Sequence, residues 1–291
     1  MTDAPAVRLT VWGAGGSAAT GDPARARWGG DTVCLEIRMG GAGTAPLIID
    51  MGSGARQLGR LIWHEAQAAG RAPRAEVLLS HFHLDHVVGL PFFAPFYDPE
   101  AHVTVRAGIV GTPTELERTL SELCSSPYFP IRPLDMGAAR FRCFEPEEPF
   151  EAAGFEITPF ETFHPGGCCG FRVATPHGVI CVVGDHEHGD ARIDAIVREQ
   201  VAGADLMIFD ATYDDENYEA HVGWGHSTWQ KGVALAKAAG VGRVLMHHHQ
   251  PEHDDATLDA RDARIRAASD RAGLARQGQV LMLKDGVLSE A

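Results

Sequence analysis

The chain carries the stretch VLLSHFHLDH at residues 77–86. Its first residues have the apolar character of a buried strand, and the histidines begin where that strand should end. Because side chains alternate along a strand, His81 and His83 should point the same way, while Asp85 and His86 follow in the turn. Imidazole and carboxylate groups are ligands that zinc, iron and manganese take in proteins. The stretch therefore predicts a metal site at the end of a strand; a solvated polar loop with chance histidines is the alternative.

The composition and length of the chain exclude several classes of protein. The chain has 291 residues, of which 45% are hydrophobic and 22% charged, and this ordinary globular usage excludes disordered and fibrous proteins. Its length allows one large domain or two small ones. No apolar run reaches the roughly 18 residues of a membrane span, and the start MTDAPAVRLT lacks the pattern of a signal peptide. We therefore expect a soluble, cytoplasmic protein.

Charge and cysteine content bear on partners and redox state. The formal net charge is −14, from 25 Lys+Arg and 39 Asp+Glu. Proteins that wrap nucleic acid usually present a basic field, so large polyanions are disfavoured here and small ligands are not. Six cysteines in a chain of this length do not indicate a disulfide framework. The pair Cys168-Cys169 is interpreted as structural thiols rather than as a soft-metal site.

Strands and helices can be placed from local patterns. Aliphatic and β-branched runs predict strands over Val7–Trp12, Val33–Arg38, Leu47–Asp50, Val77–Ser80, Val103–Arg106, Phe155–Phe160, Val179–Gly184, Leu206–Asp210, Val244–His247 and Val280–Lys284. Apolar spacing and capping signals predict helices ending near Gly70, opening at Thr112-Pro113, spanning Asp190–Val201, running from a Ser227 cap to Gly240, and spanning Asp255–Gly273. Together they predict a mixed α/β domain with helices covering sheets.

The order of motifs resembles the metallo-β-lactamase superfamily of metal-dependent hydrolases, whose first signature is H-x-H-x-D-H. Residues 49–54, Ile-Asp-Met-Gly-Ser-Gly, look like that family's D-x-G-x-G turn. A lone histidine in Thr162–Gly167, an aspartate ending Val182–Asp185 and a histidine within Leu245–His249 follow in the family's order. The resemblance covers nearly the whole chain. It implies a single domain over residues 1–291 with a four-layer αββα sandwich.

The resemblance also implies two divalent metal ions at the edge of the sheets. Their ligands would be His81, His83 and His164 for one ion, Asp85, His86 and His248 for the other, and Asp185 as a bridge between both. His247 should be the last strand residue, and the matching histidine in relatives follows it, so His248 is chosen with His247 and His249 as alternatives. Asp185 could also cap the helix over Asp190–Val201. Asp50 is a candidate acceptor that fixes the tautomer of a ligand histidine.

Two further motifs favour the phosphodiesterase branch. Residues 210–213, Asp-Ala-Thr-Tyr, and 225–228, Gly-His-Ser-Thr, resemble elements of tRNA 3′-end nucleases and of phosphoribosyl cyclic phosphodiesterase. In these relatives the histidine before Ser-Thr lies at the substrate phosphate, which makes His226 a catalytic candidate. The alternative is that His226 merely precedes a helix cap at Ser227.

The spacing between two of the motif positions argues against tRNA as the substrate. The tRNA nucleases carry a protruding arm between the positions of His164 and Asp185, and here 185 − 164 leaves only 21 residues, filled by a pair of strands. A small or cyclic phosphodiester is therefore the expected partner, with no membrane; such folds often dimerise, so a homodimer is allowed.

The resemblance implies a mechanism and leaves alternatives. A hydroxide shared by the two ions would attack phosphorus, with Asp85 orienting it and His226 assisting the leaving oxygen or holding a nonbridging one. Zinc is the first expectation, and manganese or iron accept the same ligands. A thioesterase or lactonase of the same fold, with Tyr213 or Tyr218 polarising the carbonyl, is one alternative. A metal-bearing effector that binds a ligand with little turnover is the other.

Overall fold

The computed structural model describes residues 5–40 and 44–291. Within them the strands are β1 (Val7–Gly13), β2 (Cys34–Met39), β3 (Leu47–Ile49), β4 (Arg74–Leu79), β5 (His102–Ala107), β6 (Ala139–Cys143), β7 (Phe150–Ala152), β8 (Phe155–Thr162), β9 (Cys168–Thr175), β10 (Gly178–Val182), β11 (Leu206–Asp210), β12 (Arg243–His247), β13 (Ala272–Leu274), β14 (Val280–Lys284) and β15 (Val287–Glu290). The helices are α1 (Ala55–Ala68), α2 (Leu84–Val87), α3 (Pro113–Leu123), α4 (Ala191–Val201), α5 (Asp215–Tyr218), α6 (Trp229–Ala239) and α7 (Asp255–Ala268).

The described strands form two sheets. One has the order β15-β14-β1-β2-β3-β4-β5-β6, with β3 to β6 parallel and the other neighbours antiparallel. The other has the order β13-β12-β11-β10-β9-β8-β7, with β10 to β13 parallel and the other neighbours antiparallel. The last hairpin turns at Asp285-Gly286 as its sequence predicts.

A shared apolar core holds the two sheets together. Leu9 and Ile37 of the first sheet are in the same buried cluster as Ile208 and Leu245 of the second. Strand β11 is apolar at nearly every position because it is buried on both faces: Ile208 faces this central core, and Phe209 faces the helices outside. Continuous apolar runs are typical of strands that are covered on both sides.

Helices cover the outer face of each sheet. The apolar faces of α1 and α3 pack on the first sheet, and those of α4, α6 and α7 pack on the second. The layer order is therefore α, β, β, α, and the predicted sandwich is confirmed. None of the helices within residues 5–40 and 44–291 is long and apolar enough to cross a membrane.

Two helix predictions are wrong in detail. Thr228, not Ser227, caps α6, because the Thr228 hydroxyl accepts the Lys231 N–H. Helix α7 ends at Ala268 and not at Gly273, because residues after it turn into the short strand β13, which pairs with β12. The polar spacing of this helix carried no signal that a strand follows within four residues.

Candidate metal centre

The histidine motif lies where β4 leaves the first sheet. The strand ends at Leu79, His81 and His83 follow in extended backbone, and α2 begins at Leu84. His81, Asp85 and His86 are buried, whereas His83 is exposed. The short helix places Asp85 and His86 on the same turn, and both side chains reach the group around His81. The local sequence therefore supplies four of the candidate ligands.

The other candidates arrive from the second sheet. His164 follows β8, Asp185 follows β10, and His248 follows β12. His248 has φ +62°, a left-handed conformation that turns the chain directly after the strand and is strained for a residue with a side chain. His247 is the last residue of β12, as expected, and the His249 Nε2 atom contacts the carbonyl of Ala275. Among these three histidines, the structure brings His248 into the cluster.

Asp185 is the centre of the group. Its Oδ2 atom lies 3.3 Å from His86 Nε2, 3.5 Å from His248 Nε2, 3.6 Å from His81 Nε2 and 3.8 Å from His164 Nε2. Two sets of ligand atoms, each mutually within 4.8 Å, meet there: His81, His83, His164 and Asp185 form one, and Asp85, His86 and His248 form the other. The resemblance implies a similar division with Asp185 shared by both sets, and the role of these residues as ligands stays a prediction.

The donor atoms of this group fit a divalent cation. Among the residues that the structure describes, the buried atoms His81 Nε2, His86 Nε2 and Asp185 Oδ1 have no hydrogen-bond partner. Buried polar atoms of a native protein are nearly always satisfied, so three unpartnered atoms within one cluster need an explanation. Nitrogen and carboxylate oxygen are donors that zinc, manganese and iron accept.

Four histidines are held with Nδ1 turned away from the centre. His86 Nδ1 contacts Asp50 at 2.8 Å, and His164 Nδ1 contacts the Gly225 carbonyl at 2.7 Å. Hydroxyl groups do the same for the other two rings: Ser80 for His81 at 3.0 Å, and Thr212 for His248 at 2.8 Å. Because Ser80 donates its own proton to Asp50, and Thr212 donates to Asp210, each hydroxyl must accept from its histidine. All four rings thus offer Nε2 to the centre, the arrangement typical of metal-bound histidines.

The groups of the centre differ in proton affinity. Burial and the neighbouring His86 hold the pKa of His81 well below its ordinary value. Burial alone would also lower the pKa of His248, but Asp185 and Asp85 more than offset it and raise this pKa to about 9. Despite its burial, the pKa of Asp185 lies well below its usual range because of His248 and His86. A divalent cation bound here would replace protons that the carboxylates otherwise hold on the histidines.

His226 lies beside the same centre. Its ring stacks on that of His248 with centroids 4.5 Å apart, and its Nδ1 donates to Asp210 Oδ2 at 2.8 Å. Asp210 is fully buried and directs the ring, which leaves Nε2 as the nitrogen that can meet a substrate oxygen. One ring nitrogen of His226 lies within 4.8 Å of ligand atoms of Asp185 and His248, so the geometry alone would allow His226 to bind metal.

Other residues singled out in the sequence have different positions. Asp185 does not cap α4, because Asp190 does so with its own side chain. The Cys168 and Cys169 thiols are buried, and burial raises the pKa of both thiols above the ordinary value. The Tyr218 hydroxyl donates to Glu187.

Several residues that contact the candidate ligands or their neighbours were not predicted from the sequence. Ser80 and Thr212 lie inside quoted motifs, so their hydroxyls could have been suspected. Glu187 and the Gly225 carbonyl gave no signal, because the atoms they contact are 31 to 61 residues away in the chain. Gly16 also gave no signal, because a glycine carries no side chain that could indicate its close approach to the His248 ring.

Gly16 gives a testable constraint on the centre. A Cβ atom at this position would lie 2.2 Å from the His248 ring, so Gly16→Ala must displace that ring or its own loop. We expect metal affinity to fall by roughly 10- to 100-fold, the size seen when the surroundings of a metal ligand are disturbed. Gly21→Ala is the matched control, because nothing lies within 4 Å of a Cβ there. Zinc competition against a chromophoric chelator measures both variants, and equal affinities would contradict the expected displacement of the His248 ring.

A mixed sandwich with clustered histidines and carboxylates at one edge defines a class of metal-dependent hydrolases. Residues 47–249 match the family model described as "Beta-lactamase superfamily domain". The chain belongs to this superfamily.

Individual relatives agree with that assignment. A ribonuclease Z of Bradyrhizobium sp. (strain ORS 278) is 27% identical over 260 residues, which cover 74% of this chain and 83% of the relative. The metallo-β-lactamase fold protein YhfI of Bacillus subtilis superposes with a TM-score of 0.71 at 19% identity, covering 96% of this chain and 99% of YhfI. A diphosphatase of the PhnP family gives a TM-score of 0.63 at 18% identity, covering 94% and 97%. At such identities the two structures establish the fold alone.

Proposed function

We propose that the protein is a dinuclear metal-dependent phosphodiesterase that acts on a small or cyclic phosphodiester. The observation that carries this proposal is the meeting of two ligand sets at Asp185, with buried nitrogen and oxygen atoms there that lack hydrogen-bond partners. The sets would hold one ion by His81, His83 and His164 and the other by Asp85, His86 and His248, with Asp185 between them. Zinc is the first candidate, and manganese and iron suit the same donors.

The pair of His226 and Asp210 favours phosphoryl chemistry. Such a pair can present a proton to a leaving oxygen, because the buried carboxylate orients the imidazole through Nδ1. Two relatives support the same class, since one is a ribonuclease and the other a diphosphatase. Tyr218 does not favour a thioesterase or lactonase, because its hydroxyl is engaged by Glu187.

Two observations favour a small substrate over tRNA. The segment between His164 and Asp185 is a tight hairpin of β9 and β10 and contains no inserted arm. The net charge of −14 opposes binding of a long polyanion. A homodimer and a cytoplasmic location stay predictions.

The mechanism can be stated for the residues of the chain. Divalent cations held at the centre would supply charge for the phosphoryl oxygens and acidify water. Asp85 would orient that water. Its carboxylate is held in place, because its Oδ2 accepts the Ser17 N–H at 2.6 Å and faces His248 Nε2 at 3.1 Å. His226 donates a proton from Nε2 to the leaving oxygen and keeps its Nδ1 proton, which is hydrogen-bonded to the Asp210 carboxylate.

Hydrolysis of bis(p-nitrophenyl) phosphate tests the proposal. Purified full-length protein should turn over this diester, lose activity on chelation and regain it when zinc, manganese or iron is added back. A His83→Ala preparation made in the same way controls for contaminating phosphodiesterases. No turnover with metal verified in place would refute the phosphodiesterase. The same preparation would then be tested on thioesters and lactones, and for a tightly bound ligand.

A further inference from the structure

Glu187 is a buried carboxylate next to the centre that the proposed chemistry does not use. It is 3% exposed and lies in the loop between β10 and α4. Its Oε1 accepts the Tyr218 hydroxyl at 3.0 Å and the Gly223 N–H at 2.7 Å, and its Oε2 accepts the Gly225 N–H at 2.7 Å. No ion pair to Glu187 occurs among the residues that the structure describes. A buried charge is expensive, so three aligned donors on one loop indicate a built contact.

The loop that Glu187 holds leads directly into the centre. The Gly225 carbonyl accepts from His164 Nδ1 at 2.7 Å, and the next residue is His226. The approach is close: Gly225 has φ +87°, and a Cβ there would lie 2.3 Å from His164 Nδ1. Only glycine allows the backbone to come this near in this conformation. A shift of the Gly225 backbone would therefore move the group that orients His164.

We propose that Glu187 is a positioning residue of the metal centre. By holding the Gly223 and Gly225 amides, it aims the Gly225 carbonyl at His164, so that His164 keeps its proton on Nδ1 and presents Nε2 toward Asp185. The expected effect on metal binding rests on the proposed function, whereas the contacts of Glu187 with the Gly223 and Gly225 amides are present in the polypeptide without metal. One carboxylate from the second sheet thus orients a candidate ligand 23 residues earlier in the chain (187 − 164).

Charge, and not only shape, is essential to this role. The two glycine amides are bound by different oxygens of one carboxylate. Glu187→Gln keeps the shape but offers one oxygen and one NH2 group, so one glycine N–H must face another donor. The isosteric variant should therefore release the loop without emptying the space that the side chain fills.

The test compares Glu187→Gln and Glu187→Ala with Glu219→Gln, an exposed glutamate of the same loop region. In metal-free, full-length protein we expect Glu187→Gln to speed amide exchange at Gly223 and Gly225 and to shift or broaden the His164 Nδ1 proton resonance. Zinc affinity should fall by roughly 10- to 100-fold, the range for partners that orient metal ligands. Glu219→Gln should change none of these. If Glu187→Ala does not fold, the isosteric variant carries the test.

Two outcomes separate this inference from the proposed function. Faster exchange with an unchanged His164 resonance and unchanged zinc affinity would overturn the positioning role, because Glu187 would then only anchor the loop. If the wild-type protein bound no metal, the proposed function would fail, while a His164 resonance that depends on Glu187 would still support the local positioning.

Discussion

Replacing His83 by alanine is expected to remove bound metal and hydrolysis together while the fold persists. The His83 Nδ1 atom lies 2.9 Å from His164 Nε2, which places it among the donors of the first ligand set. Because its side chain is exposed, the substitution should change stability by no more than about 0.5 kcal/mol. Loss of a direct ligand should weaken metal binding by more than the roughly 100-fold seen for residues that only support ligands.

The measurements are metal content after dialysis and turnover of bis(p-nitrophenyl) phosphate. His64→Ala is the matched control: it also removes an exposed histidine, but from α1, outside the candidate ligand sets. Stoichiometric metal with full activity in His83→Ala would refute this ligand. Equal losses in both variants would indicate a general effect of removing surface histidines.

Replacing His226 by alanine is expected to lower kcat by roughly 10²- to 10⁴-fold with metal retained, the usual range for loss of a general acid. The physical reason is that the Asp210 carboxylate holds Nδ1 and directs the other nitrogen outward. The loss should be largest for alkyl diesters, whose leaving oxygens need a proton, and smaller for p-nitrophenyl diesters.

His221→Ala is the matched control, since His221 lies in the same loop region and stacks on Tyr213 outside the ligand sets. Equal losses for both substrate types would count against proton donation and favour a hold on a nonbridging oxygen. Loss of metal in His226→Ala would instead favour His226 as a ligand, since one of its ring nitrogens lies within 4.8 Å of ligand atoms of Asp185 and His248.

Local sequence was sufficient for the elements that depend on nearby residues. Strand β4 and the motif after it follow from an apolar run and a period of two, and the strands and helices above were placed within a few residues. The end of α7 was predicted wrongly because only local pattern was used, and β13 exists only through its pairing with β12. Residues 272–274 of β13, Ala-Gly-Leu, contain no β-branched or aromatic side chain, so no local pattern marks them as a strand.

Through its resemblance to the metallo-β-lactamase superfamily, the sequence implied the αββα class, the candidate ligands and the order in which they occur, because the motifs that carry this resemblance are contiguous. Only the tertiary structure decided which of three successive histidines enters the centre, and that Glu187 supports His164 through Gly225. The physical reason is that side-chain alternation and capping act over a few residues. Convergence on Asp185, in contrast, depends on strands from two sheets ending at one edge, and no local pattern encodes the distances between them.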